Sequence, residues 1–166
     1  MSDTAPAAVP APLPEGTTPG PTTSTTTGPT TGPTTRSATS PTTRGTLIER
    51  MGIEVREVAP DRAVATMPVA GNTQPHGLLH GGASGVLVET VGSLAAQEHA
   101  GAGRRAVGIE LSVTHHRSAS EGVVTGTATA VHRGGTLATY EVTVEDASGR
   151  RVATGRLTCM LLDARA

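Results

Sequence analysis

Aromatic side chains are nearly missing from this chain: its 166 residues include no Phe, no Trp and one Tyr, Tyr140. Without rings there is no platform on which unpaired bases stack, and a net charge of −1 supplies no field that would draw the chain onto nucleic acid. Nucleic acid is therefore not an expected partner. Cysteine is equally scarce. Cys159 stands alone, which excludes an intrachain disulfide and a thiolate metal cluster, and its setting in the apolar run LTCMLL reads as a core position. Long apolar runs are lacking too, so no segment is expected to span or bind a membrane, and the opening residues do not have the basic-then-apolar form of a secretory signal. A cytoplasmic location is the expectation that follows.

The chain does have an unusual start. Residues 1–44 are almost wholly Thr, Pro, Ser, Gly and Ala, with near-repeats such as TTSTTTGPTTGPTT, and they lack the apolar side chains that offset the entropy of ordering. They read as a disordered tail, leaving 45–166 as one domain. With no Phe or Trp that domain has a thin core, because rings normally supply much of the buried area.

Within 45–166 the pattern resolves into elements. TLIERMG reads as a short helical lead-in, and IEVREV and RAVATMPV alternate like a hairpin around Ala59-Pro60-Asp61. The turn-rich loop GNTQPHGLL leads into a helix over 81–100 that ends at Gly101-Ala102-Gly103. Four strand-like runs follow: AVGIELSVTHH, VVTGTATAVH, LATYEVTVE and RRVATGRLTCMLL. In the third, Tyr140, Val142 and Val144 share one face while Glu141, Thr143 and Glu145 share the other. Two strands, one helix and four strands suit an α+β layout, an antiparallel sheet curled around a central helix. Such a sheet leaves an open edge and a partly bare helix, which oligomerisation would cover.

Glu89 is the only charged residue between Gly81 and Ala96. A helix apolar nearly all round belongs inside a protein, where an ionised carboxylate loses several kcal/mol of hydration unless it is paired or put to use. It is the leading candidate for chemistry. Ser93 lies four positions on, one turn along the same face, near enough to share a water. Gly81 and Gly82 open the helix, where free N–H groups and the macrodipole receive an oxyanion, with His80 just before them and Gln74 in the preceding loop. Eight helical residues put Gly81 and Glu89 about 12 Å apart, too far for one carbon to touch both. Antiparallel helices across a two-fold axis would bring Glu89 of one subunit to Gln74, His80 and Gly81 of its twin.

The spaced set Gln74, His80-Gly81-Gly82, Glu89 and Ser93, followed by AVGIELSVTHHRSASEGVV and VHRGGTLATYEVTVEDASGR, resembles the hotdog-fold acyl-CoA thioesterases of the PaaI type. Within them it most resembles the branch holding 1,4-dihydroxy-2-naphthoyl-CoA hydrolase and the Arthrobacter-type 4-hydroxybenzoyl-CoA thioesterase. The likeness spans roughly residues 45–163. It implies a hotdog fold and hydrolysis of an acyl-CoA, with coenzyme A entering as part of the substrate and no separate cofactor. It also implies a homodimer with composite sites, or a tetramer built from two such dimers. Glu89 would be nucleophile or general base, Gln74 and the Gly81 N–H would polarise the carbonyl, His80 would orient Gln74 and its loop, and Ser93 would hold the water. Coenzyme A contacts would fall on Gly82 and Gly108, on His115, His116, Arg117 and Ser118, and on His132, Arg133, Gly134, Gly135, Thr136 and Leu137, the Gly134-Gly135-Thr136 turn offering its N–H groups to a phosphate. At Gly135-Thr136 relatives often carry Ser or Thr followed by Arg, so Arg133, Arg150 and Arg151 become substitutes for one phosphate partner.

Other readings of the same residues are weaker. A structural Glu89 paired with an arginine would leave the Gln74, His80 and Ser93 spacing unexplained. His76 and His80 flank Gly77 and follow Pro75, so helical metal-ligand spacing does not hold there, and His115 and His116 point to opposite faces of a strand; no metal site is expected. Ser84 lacks the second glycine of a nucleophile elbow. A non-catalytic acyl-CoA sensor on the same scaffold is the rival from a different class, and a hotdog hydratase would need an Asp and His pair that is not found here.

Overall fold

The computed structural model describes residues 43–163; the expected tail lies, apart from Thr43 and Arg44, outside the described residues. In chain order the elements are α1 (Leu47–Arg50), β1 (Glu54–Val58), β2 (Arg62–Pro68), α2 (Gly81–Ala100), β3 (Arg104–His115), β4 (Val123–Arg133), β5 (Leu137–Glu145) and β6 (Arg151–Asp163). All six strands join one sheet in the order β1-β2-β4-β5-β6-β3, each neighbour antiparallel, and the sheet wraps around the single long helix α2. This is the hotdog layout expected from the sequence. No helix among the described residues is long and apolar enough to cross a membrane.

The strands form where alternation demands them. In β5, Ala138, Tyr140, Val142 and Val144 are fully buried beneath α2 while Glu141 is exposed on the outer face. Tyr140, the lone ring, passes its hydroxyl across the core edge to donate to Pro60 O at 2.7 Å. The β5–β6 turn is set by Asp146, whose carboxylate accepts from the Ser148 hydroxyl and from the Ser148 and Arg150 amides; these bonds hold it well below the usual carboxylate range.

A core without large rings is closed by bringing backbones together. α2 presents Ala83, Leu87, Val88, Val91, Ala95 and Ala96 to the sheet at helical spacing. Three glycines mark the closest approaches. A methyl group at Gly92 would stand 2.6 Å from Leu157 Cδ2, at Gly126 2.8 Å from Leu87 Cγ, and at Gly155 2.6 Å from Val88 Cγ1. Small residues thus replace aromatic bulk by shortening the distance between helix and sheet. Cys159 is fully buried in this layer, as its apolar setting implied.

α2 is partly bare, as expected, but its bare flank carries the residue expected to be sunk: the sheet covers one flank, and the opposite flank, with Val86, Glu89, Thr90, Ser93, Leu94 and Gln97, is open, leaving Glu89 exposed. A single curled sheet reaches around only part of a helix's circumference, so an apolar helix keeps an uncovered side. β3 forms the sheet's far edge, and Val107, Ile109 and Leu111 on it are 42%, 52% and 42% exposed.

Candidate active site

The N-terminal end of α2 is built by the loop before it. Asn72 donates its side-chain amide to Met51 O and Pro68 O, both at 2.9 Å, and its carbonyl accepts from the His80 N–H, also at 2.9 Å. Between these anchors Gln74 N–H donates to Leu78 O and Gly77, at a positive φ of 77°, donates back to Gln74 O. The chain therefore enters the helix at a fixed angle. His80 is the N-cap, and its Nδ1 accepts from the Gly82 N–H at 2.8 Å, while Ala83 and Ser84 donate to His80 O. The Gly81 N–H is left as the first-turn donor with no acceptor among the described residues. His115 lies over that glycine, its Nε2 only 2.8 Å from where a Cβ would be, so a side chain there would have to displace the imidazole. Gln74, Gly81, buried Ser84 and the run His115, His116, Arg117 and Ser118 line one cavity of about 350 Å³.

Glu89 and Ser93 line a second cavity, of about 410 Å³, along the open flank of α2. Gly108 of β3 lies beneath the carboxylate: a Cβ there would stand 3.6 Å from Glu89 Oε1 and 3.5 Å from Leu157 Cδ1. Gly108 pairs with Cys159, and burial pushes that thiol above its ordinary value, a Ser93 hydrogen bond opposing the shift and the Glu89 charge adding to it. Glu89, Ser93, Gly108 and Cys159 are thus neighbours. His80, expected to orient Gln74, is engaged in capping, and its ring nitrogen bonds Gly82.

The β4–β5 turn sits at the other end of α2. His99 Nε2 lies 3.1 Å from Gly134 O, Arg104 Nη2 donates to Gly135 O at 2.8 Å, and Leu161 N–H donates to Thr136 O. Gly134 N–H, expected to face a phosphate, donates instead to Leu137 O at 2.8 Å, because the tight turn closes on itself. Within one chain, His115 to Ser118 and His132 to Leu137 stand at opposite ends of a helix about 30 Å long. Among the substitute arginines, Arg150 is engaged by Asp146 at 2.9 Å and Arg151 lies 3.9 Å from Glu145; Arg117, expected to meet the coenzyme itself, donates from Nη1 to Arg151 O. His116 Nε2 turns to Thr154 Oγ1 at 2.9 Å, away from His115 over Gly81. Among the described residues no three His, Cys, Asp or Glu side chains converge.

The sequence profile of the thioesterase superfamily matches residues 76–153. The proofreading thioesterase EntH of Cronobacter turicensis is 43% identical over 122 residues, covering 73% of this chain and 89% of its own. The chain is a member of the thioesterase superfamily. Solved relatives agree with this placement. A thioesterase from Haemophilus influenzae superposes with a TM-score of 0.71 at 30% identity, covering 75% of this chain and 87% of that one. AziG of S. sahachiroi gives 0.69 at 39% identity, covering 72% and 98%. The protein is accordingly a hotdog-fold thioester hydrolase.

Several residues of this thioesterase escaped the sequence. Asn72 ties the Gln74 loop to the end of α1, yet in sequence it is one more polar residue in a turn-rich stretch. Gln97 spans from α2 to the β3 edge, donating to Arg104 O and accepting from Ala106 N–H, both at 3.0 Å. Arg104 gathers Asp163, Gly135 O and Leu161 O. Asn72 and Arg104 reach partners 21 to 59 residues away, and Gln97 bonds across the helix-to-strand turn, so none of the three is marked by a periodic pattern.

Proposed function

We propose that this thioesterase hydrolyses acyl-CoA thioesters, with aryl-CoA such as 1,4-dihydroxy-2-naphthoyl-CoA as the acyl class, at sites shared between two protomers. The observation that carries the reading is the division of the chemistry along α2. A free N–H at Gly81 and the Gln74 amide stand in one cavity, and a carboxylate with its hydroxyl stands in another, further along the same helix than one carbonyl can span. Facing copies related by a two-fold axis would set Glu89 and Ser93 of one protomer against Gln74 and Gly81 of the partner subunit, with the apolar β3 edge joining the sheets.

At such a site the thioester carbonyl oxygen accepts from Gly81 N–H and the Gln74 amide, which stabilise the negative charge of the tetrahedral intermediate, and His80 keeps the helix tip open by taking the Gly82 amide. Glu89 either attacks the carbonyl carbon itself or removes a proton from a water held by Ser93. In both routes the C–S electrons leave on sulfur, which takes up a proton as free CoA. Direct attack leaves an acyl–Glu89 anhydride that water then cleaves to free Glu89 and the acid, whereas in the other route water attacks the thioester itself, so that water supplies the second carboxylate oxygen either way. His115, Arg117 and Ser118, beside the Gly81 cavity, are suited to the coenzyme, the guanidinium to its phosphates.

Complementation tests the sharing. Glu89→Gln and Gln74→Ala are each expected to lose about 10²- to 10⁴-fold in kcat for benzoyl-CoA hydrolysis, followed by thiol release. Refolding the two variants together restores activity if each site draws on both chains, because one site of every mixed dimer is then intact. If both variants are inactive alone and the mixture stays inactive, the shared site is wrong; normal turnover by Glu89→Gln removes the catalytic assignment itself.

A further inference from the structure

The cavity that holds Glu89 has a wall the catalytic reading does not use. It is closed by Leu47 and Ile48 of α1, while beyond Ser93 it is lined by Leu94, the stem of Gln97 and the Ala106 methyl. The Gln97 amide is turned to the β3 backbone, where one N–H donates to the Arg104 carbonyl and the oxygen accepts from the Ala106 N–H. The cavity is therefore polar at the carboxylate and mainly hydrocarbon beyond it. α1 itself is unusual: none of its four residues is buried, and Leu47 is 53% exposed although it faces a cavity. What holds α1 in place is backbone: Met51 N–H donates to Leu47 O, Ile53 N–H to Ile48 O, and the Asn72 side chain to Met51 O. The Leu47 side chain is not needed for that anchoring. Half-exposed Leu47 and partly buried Ile48 overhang a space of about 410 Å³ that they border without filling.

We propose that Leu47 and Ile48 are specificity-determining side chains that grip the hydrocarbon part of the acyl group once its thioester carbonyl is at Glu89. This rests on the acyl-CoA hydrolase reading above and names the part of the substrate that the cavity selects. Burial of acyl hydrocarbon against α1 favours larger apolar acyl groups over acetyl, since each methylene matched in an apolar pocket changes kcat/KM by roughly 10- to 200-fold.

The test is the ratio of kcat/KM for benzoyl-CoA to that for acetyl-CoA in the full-length protein. Leu47→Ala, at a half-exposed position that the fold tolerates, and the double variant Leu47→Ala/Ile48→Val are expected to lower this ratio about tenfold or more. Val131→Ala, on the outer face of the sheet, is the control and should keep the wild-type ratio. A wild type that hydrolyses both esters, with Leu47→Ala and the double variant holding the ratio within about twofold, overturns the wall while leaving the hydrolase reading intact. A wild type that hydrolyses neither ester overturns both.

Discussion

Cys159 shows how a single residue takes its properties from its surroundings. It is fully buried between β3 and β5, and desolvation, opposed by the Ser93 hydrogen bond and reinforced by the Glu89 charge, keeps its thiol protonated at neutral pH. Ellman's reagent is therefore expected to react with the native protein at pH 7 at least about a hundredfold more slowly than with the protein in denaturant, since reaction requires local opening. Equal rates in the two states would show the thiol to be accessible. At this scale the sequence was informative about identity and less so about surroundings. Glu89 stood out because it was the one charge in an apolar helix, but the periodicity could not tell which flank the sheet would cover, and Glu89 faces outward. His80 was legible as a helix-start residue; that its ring caps Gly82 and so leaves Gly81 N–H free depends on a side-chain rotamer, which no spacing encodes.

The elements meet at contacts whose tightness differs from glycine to glycine, and the differences predict stability. Gly155→Ala places a methyl group 2.6 Å from Val88 Cγ1 and 2.9 Å from the Ser112 carbonyl oxygen, so strand or helix must shift. A loss of about 1–3 kcal/mol is expected, read as a lower urea midpoint with unchanged m-value. Gly108→Ala meets nothing closer than 3.5 Å and should leave the midpoint nearly unmoved. If the two substitutions are equally costly, close helix–sheet approach is not what these glycines provide. All the strands and both helices were legible from alternation, helical spacing and turn residues, because those signals are local. The strand order was not, since the β2–β4 and β6–β3 pairings join segments distant in sequence.

At the scale of the whole molecule the sheet ends on an apolar strand, and soluble proteins usually guard such an edge with charge or cover it with another chain. Replacing both Val107 and Leu111 with Lys is expected to shift the sedimentation profile from dimer or larger towards monomer and to remove thioester hydrolysis with it. A charged edge that leaves the assembly intact would place the interface elsewhere. The expectation of a partner came from composition, through the thin core and the open edge, but the division of the candidate residues between two cavities along α2 required the fold. The scarcity of rings has one more outcome. Tyr140 is buried, donates to Pro60 O, and is pushed up to about 12 because burial disfavours its ionised form. It is also the chain's only appreciable chromophore in the near ultraviolet, so absorbance and fluorescence there come from one phenol, lodged where β5 meets the β1–β2 turn. Melting followed in the near ultraviolet watches that junction alone, and the protein's concentration is better read from the peptide bond.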